Sequence, residues 1–218
     1  MPNFNFTFWA LILQIPAAFC VLTLHEMVKA RCSDWLGDPT PKKSGLMSGN
    51  PFKYLEPIGF AMAVIFGFGW GRPTQTSPLY YKDRQKGILI TYLTPSLVNL
   101  FVGLAAALII GVLNSNSAVI EVLLHANQIV NVAVSWLFSF MHTFARVSVG
   151  TALFNMIPVP PLDAAKLLQS VLSPNAAVKI TQNEKIMQLV LIMLILMGVI
   201  SGVINPIVHM LVSAALFW

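Results

Sequence analysis

The sequence predicts an all-α polytopic membrane protein, and three observations predict it. Hydrophobic residues make up 56% of the 218 residues and charged residues only 10%, too apolar for an ordinary soluble domain. The apolar residues gather into runs of the length, about 20 residues, that crosses a bilayer core. The charges gather between the runs. One membrane domain, residues 1–218, is expected.

Residues 6–30 form the first span. No short apolar segment with a small-residue cleavage site precedes it, so it is expected to be retained and to act as the insertion signal. Pro16 is expected to kink it. Cys20 and Cys32 lie more than three turns apart on that helix and cannot bridge within one chain. From Arg31 to Glu56 the chain turns polar and rich in breakers (GDPTPKKSGLMSGNP), a composition for turns, with short strands expected over residues 39–56. Residues 57–70, PIGFAMAVIFGFGW, are apolar for too short a length to cross; they predict a re-entrant or partly inserted segment.

A basic loop leads to the second span, 87–113, which carries Thr94, Pro95 and Asn99. After NSNS comes an amphipathic stretch with Glu121 and His125, then a third span over 129–157. Its polar residues Asn131, His142, Arg146 and Asn155 must face protein or water. The prolines of PVPPLDAAK stop that span and start a short helix after Leu162. Residues 186–217 contain Asn205-Pro206 and predict one long kinked span, or two helices turning at that dipeptide.

Every Lys and Arg except Arg146 falls within 29–53, 72–86 or 166–185. An even number of crossings separates these segments, and the positive-inside rule makes their side cytoplasmic, with the N-terminus outside. The net charge of +5 is thus a topology signal and an attraction to anionic membrane lipids. Nucleic acid is not needed to explain it. A short chain of this topology suits a bacterial cytoplasmic membrane, and the topology sets Leu24–Lys29 and Pro160–Asp163 at one depth near the cytoplasmic face.

The chemistry concentrates in LTLHEMVKA, residues 22–30. Ionisable side chains at the end of an apolar run are functional candidates. On a helix, His25 and position 29 share a face one turn apart, the spacing by which His-Glu-x-x-His holds zinc. A zinc hydrolase needs three protein ligands, an open position for water, and a carboxylate to take the water's proton. His25, Glu26 and Asp163 supply all but one, because position 29 is Lys. The plain readings are a snorkelling His25–Glu26 pair, a topology anchor at Lys29 and a helix cap at Asp163. His142 and Arg146, an i, i+4 pair, would line the pocket, accept a carboxylate or bind a lipid headgroup. Gly67, Gly69 and Gly71 read as sites of tight bending or close packing.

HEMVK, GDPTPKKSGLMSGNPFKYLEPIG, FGWGRP, TPSLVN and FNMIPVPPLDAAK, in this order over roughly residues 20–170, resemble the site-2 protease family of intramembrane zinc metalloproteases. The resemblance implies a site-2-protease-like transmembrane core with a re-entrant or β-containing insertion at the cytoplasmic face. It implies His25 and Asp163 as zinc ligands, Glu26 as general base, and Asn99 and Asn155 near the active site. Lys29 stands where the second histidine ligand belongs, Ala164 where a glycine usually follows the aspartate, and Thr94 where a glycine commonly precedes Pro95. A protonated ammonium has no lone pair for zinc and repels the cation. The expectation is therefore a pseudoprotease in which Lys29 pairs with Glu26 or Asp163 in the metal's place, with no zinc and with transmembrane clients bound but not cleaved. Two other functions stay open: an active zinc metalloendopeptidase with a non-standard site, and a lipid-handling or transport protein using the same pocket.

Overall fold

The computed structural model describes residues 8–116, 121 and 127–216; the expected span boundaries at 6 and 217, and His125, lie outside them. Among the described residues, three helices are long and apolar enough to cross a membrane, or four spans if a bent pair near the C-terminus counts as one. The three are α1 (Phe8–Trp35), α4 (Arg84–Ser115) and α5 (Gln128–Phe154). Each packs on the other two. Small residues make this close approach feasible, as is usual where helices meet in lipid: a Cβ on Gly103 of α4 would come within 2.9 Å of Val149 and 3.0 Å of the Ala145 carbonyl on α5.

The boundaries follow local chemistry. The Asp83 carboxylate caps α4 by accepting from Lys86 N at 3.1 Å, and Asn127 caps α5 by accepting from Ile129 N at 2.8 Å. Helix α5 ends at Phe154, short of the expected 157, and turns and bends over residues 155–162 carry the chain to the next helix. Helix α1 runs on past Lys29 to Trp35, since neither Lys29 nor Arg31 breaks a helix.

Residues 39–56 form no strands. They make helical turns instead: α2 (Thr40–Lys43) and 3₁₀ turns over Leu46–Ser48 and Pro51–Tyr54. Pro39, Pro41 and Pro51 remove ladder donors, and Gly45 and Gly49 take positive φ between the turns. The apolar stretch from Pro57 gives a ten-residue helix, α3 (Pro57–Phe66), and then extended chain. Helix α3 packs on α1. Phe68 and Trp70 of the extended part are buried, packing with Phe154 at ring-centre distances of 4.9 and 6.1 Å.

After α5 come α6 (Asp163–Val171) and α7 (Pro174–Gln182), followed by α8 (Glu184–Leu196) and α9 (Val199–Ala215). The last two form a pair bent by 65°. The bend falls at Gly198, whose φ is +79°, not at Asn205-Pro206, which lies inside α9. The left-handed conformation at Gly198 costs a glycine little, so the break forms there. Helix α9 packs on α4 and α5, closing the main core around Ala107, Val149, Ile195 and Val208.

Candidate functional site

Four ionisable residues from two distant parts of the chain meet inside the bundle. His25, Glu26 and Lys29 come from α1, and Asp163 opens α6. All four are at most 4% exposed. Helical spacing carries the first three to one side of α1, with Glu26 and Lys29 three apart and His25 and Lys29 four apart. Packing of α6 on α4 brings in the fourth.

Lys29 is the hub. Its Nζ lies 2.7 Å from Glu26 Oε1 and 2.6 Å from Asp163 Oδ1. Its ammonium is also 6.0 Å from the centre of the Tyr92 ring, the outer range of a cation–π contact. His25 Nε2 donates to Asp163 Oδ2 at 2.9 Å, and His25 Nδ1 accepts from Asn99 Nδ2 at 3.2 Å. Two carboxylates, those of Glu26 and Asp163, thus face the one ammonium of Lys29. Asp163 is the first residue of α6, where the helix dipole favours negative charge.

Glu26 has a second set of partners. Its Oε2 accepts from Thr74 N at 3.0 Å and from Thr74 Oγ1 at 2.8 Å. Thr74 lies in the extended chain after α3, which passes over Glu26 because Gly71 has no side chain. A Cβ there would come within 2.5 Å of Glu26 Cγ and 2.8 Å of the Tyr54 carbonyl. Both oxygens of Glu26 are therefore engaged, one by an ammonium and one by two hydrogen bonds.

The snorkelling and anchoring readings of His25, Glu26 and Lys29 fail on burial. Asp163 does not cap its helix either. The N-cap position is Leu162, and the carboxylate reaches His25 and Lys29 instead. Asn99 contacts the cluster directly through His25. Its Oδ1 is buried with no partner among the described residues, while its carbonyl accepts from Ser148 Oγ at 2.7 Å. Asn155 stands one step back: its Nδ2 donates to the Gly69 carbonyl at 3.3 Å, and its own carbonyl accepts from Ala164 N at 3.0 Å. It ties the extended chain to the start of α6. His142 and Arg146 do not join the cluster; both are exposed on α5.

Sequence reasoning passed over Thr74 and Tyr92. Thr74 directly follows GRP, but only the fold of the extended chain reveals that its hydroxyl meets Glu26. Tyr92 belongs to an apolar span and gives no signal of its own.

These residues do not fit a zinc ion. Tetrahedral sites take three or four protein ligands; here two donors, His25 Nε2 and the Asp163 carboxylate, face an ammonium where the third would stand. Among the described residues, no three His, Cys, Asp or Glu side chains come together in metal-holding geometry.

The family model for peptidase family M50 matches residues 7–210. The YwhC protein of Bacillus subtilis (strain 168), whose name gives it as a proposed zinc metalloprotease, is 29% identical over 177 residues, spanning 79% of this chain and 74% of its own. No solved structure matches the chain. With a family match over nearly its whole length and the family's ordered motifs gathered around one buried site, the chain belongs to peptidase family M50, the site-2 protease family of membrane metalloproteases.

Proposed function

We propose that this protein is a pseudoprotease: an integral membrane protein with the peptidase architecture, whose metal position is taken by the Lys29 ammonium and which binds transmembrane clients without cleaving them. The observation that carries the reading is the bridge from Lys29 Nζ to Glu26 Oε1 at 2.7 Å and Asp163 Oδ1 at 2.6 Å. A cation already lies between the carboxylates that would otherwise serve as base and ligand. Glu26 is doubly unsuited to take a proton from water, since Thr74 occupies its second oxygen. The basic end of the bundle faces the cytoplasm on this reading, by the positive-inside rule.

The competing reading, an active zinc endopeptidase, is favoured by the convergence of His25, Glu26 and Asp163. It requires Lys29 to lose its proton and leave both carboxylates, against the attraction that holds it there. The test is proteolysis in vesicles. The purified protein is reconstituted with a labelled transmembrane peptide carrying a helix-breaking Asn-Pro pair, with zinc supplied. The proposal expects no cleavage above that of a Glu26→Gln variant, with the peptide retained on the protein. Glu26-dependent cleavage overturns it.

A further inference from the structure

A stripe of polar residues runs along the exposed side of α5, beside the exposed apolar side chains Ile129, Val132, Trp136 and Leu137. Asn131, Ser135, Ser139, His142 and Arg146 recur at intervals of four, four, three and four residues, all exposed, which is one stripe on a helix. Helix α9 beside it carries Ser201, Asn205, His209 and Ser213 four apart, with Asn205 and His209 exposed and the two serines partly buried. Helix α9 packs on α5, with His209 near enough to His142 for their charges to interact. A cavity of about 480 Å³ opens between α5 and the far half of α4, lined by Asn114, Ser135, Ser139 and His142 among others.

The hydroxyls of Ser139, Thr143 and Ser213 are satisfied by carbonyls of their own helix, whereas Ser201 Oγ is buried without a partner among the described residues. Ser139 Oγ donates to the Ser135 carbonyl at 2.8 Å and Thr143 Oγ1 to the Ser139 carbonyl at 2.9 Å. Arg146 has no such recourse. It makes no hydrogen bond or ion pair with any described residue, although a guanidinium offers five donors and a permanent charge. Arg146 lies eight residues before the end of α5 and eighteen after its start, about 12 and 27 Å along the axis. Side chains lean toward a helix's N-terminus, so Arg146 leans away from the nearer membrane surface. Its depth and direction favour a counter-charge from within the bilayer over a lipid phosphate.

A second copy of this chain does not supply one. Of its eight acidic residues, Glu26 and Asp163 are buried in the tetrad. Asp34, Asp38, Glu56, Asp83 and Glu184 lie at helix ends or in loops, and Glu121 lies between α4 and α5. We propose that the α5–α9 face is a docking site for a transmembrane helix of a different protein, which brings a carboxylate to Arg146 at mid-membrane. The inference does not rest on the metal-free reading of the tetrad.

The test uses the full chain, donor-labelled at its N-terminus, in phosphatidylcholine vesicles. The probes are acceptor-labelled leucine–alanine helices of membrane-spanning length with Glu, Gln or Leu at the centre. The Glu helix should reach half-maximal energy transfer at about tenfold lower density than the Leu helix, with Gln between them, since a charged pair in lipid adds to hydrogen bonding. Arg146→Leu, which suits a lipid-facing position and inserts readily, should abolish the preference. Arg146→Glu should transfer it to a Lys-centred helix. Equal transfer with Glu and Leu helices overturns the proposal, as does a preference that survives Arg146→Leu. Arg146-dependent transfer between two copies without peptide assigns the face to self-association and overturns it too. So does an Arg146 effect that responds to added phosphatidylglycerol and not to the Glu helix.

Discussion

Lys29 holds Glu26 and Asp163 in a buried ion-pair network, and the cost of removing it follows from burial. In Lys29→Met, two carboxylates lose their counter-charge inside the bundle. The loss of one partner from a buried pair costs on the order of 3–5 kcal/mol. Adding Glu26→Gln to that variant should restore part of the loss, because one uncompensated charge goes with it. Unfolding in detergent, followed by the fluorescence of the five tryptophans, reads both. Equal stability of Lys29→Met and the natural protein would contradict the network.

Asp38 gives a second prediction at this scale. It is fully buried at the end of α1. Burial pushes its carboxyl up, but hydrogen bonds from Thr40, Ser77 and Ser33 outweigh that and hold it below the ordinary carboxylate range. A group whose pKa falls on folding stabilises above its unfolded value, and that contribution disappears as pH falls through the folded one. The natural protein should therefore lose stability in acid below about pH 4. Asp38→Asn should show a flatter profile there and a loss of roughly 1–3 kcal/mol at neutral pH, the cost of leaving buried donors unmet. A parallel acid profile for the two proteins would contradict this.

At the scale of elements, the extended chain after α3 is what a spans-and-loops view of the sequence underrates. It packs Phe68 and Trp70 into the core and lays Thr74 on Glu26, and Gly71 lets it approach. Gly71→Ala should cost about 1–3 kcal/mol by overpacking, because Glu26 and the Tyr54 carbonyl occupy the space. Gly202→Ala, within α9 and with nothing inside 4 Å of a Cβ, should be neutral or stabilising by up to about 1 kcal/mol. Thermal unfolding of the two variants side by side checks the contrast; equal losses would contradict the packing. The break between α8 and α9 was hidden for a related reason: Asn205-Pro206 is the stronger break signal in the sequence, yet Pro206 is accommodated inside α9 while Gly198 turns the chain. The turns over 39–56 likewise depend on Pro and Gly positions that composition alone leaves compatible with strands.

For the whole molecule, what was legible came from apolar run length and motif order. Runs near 20 residues announced three spans, and HEMVK with PVPPLDAAK pointed to the pairing of α1 with the start of α6. His25, Glu26, Lys29, Asp163 and Asn99 do meet. Asn155 has a tethering position, and His142 with Arg146 sit on a separate face, because a helix's sequence states periodicity but not which side its neighbours cover. Thr74 was illegible because its role depends on where an extended segment lies, and no local pattern encodes that.

On the proposed reading, the Lys29 ammonium stands in place of a metal ligand beside His25 and Asp163. Elemental analysis of the purified natural protein beside a Lys29→His variant, prepared in the same detergent, tests it most directly. The natural protein should hold less than roughly a tenth of an equivalent of zinc and the variant about one equivalent, since His would complete a three-ligand set. Stoichiometric zinc in the natural protein, lost on His25→Ala, would contradict it.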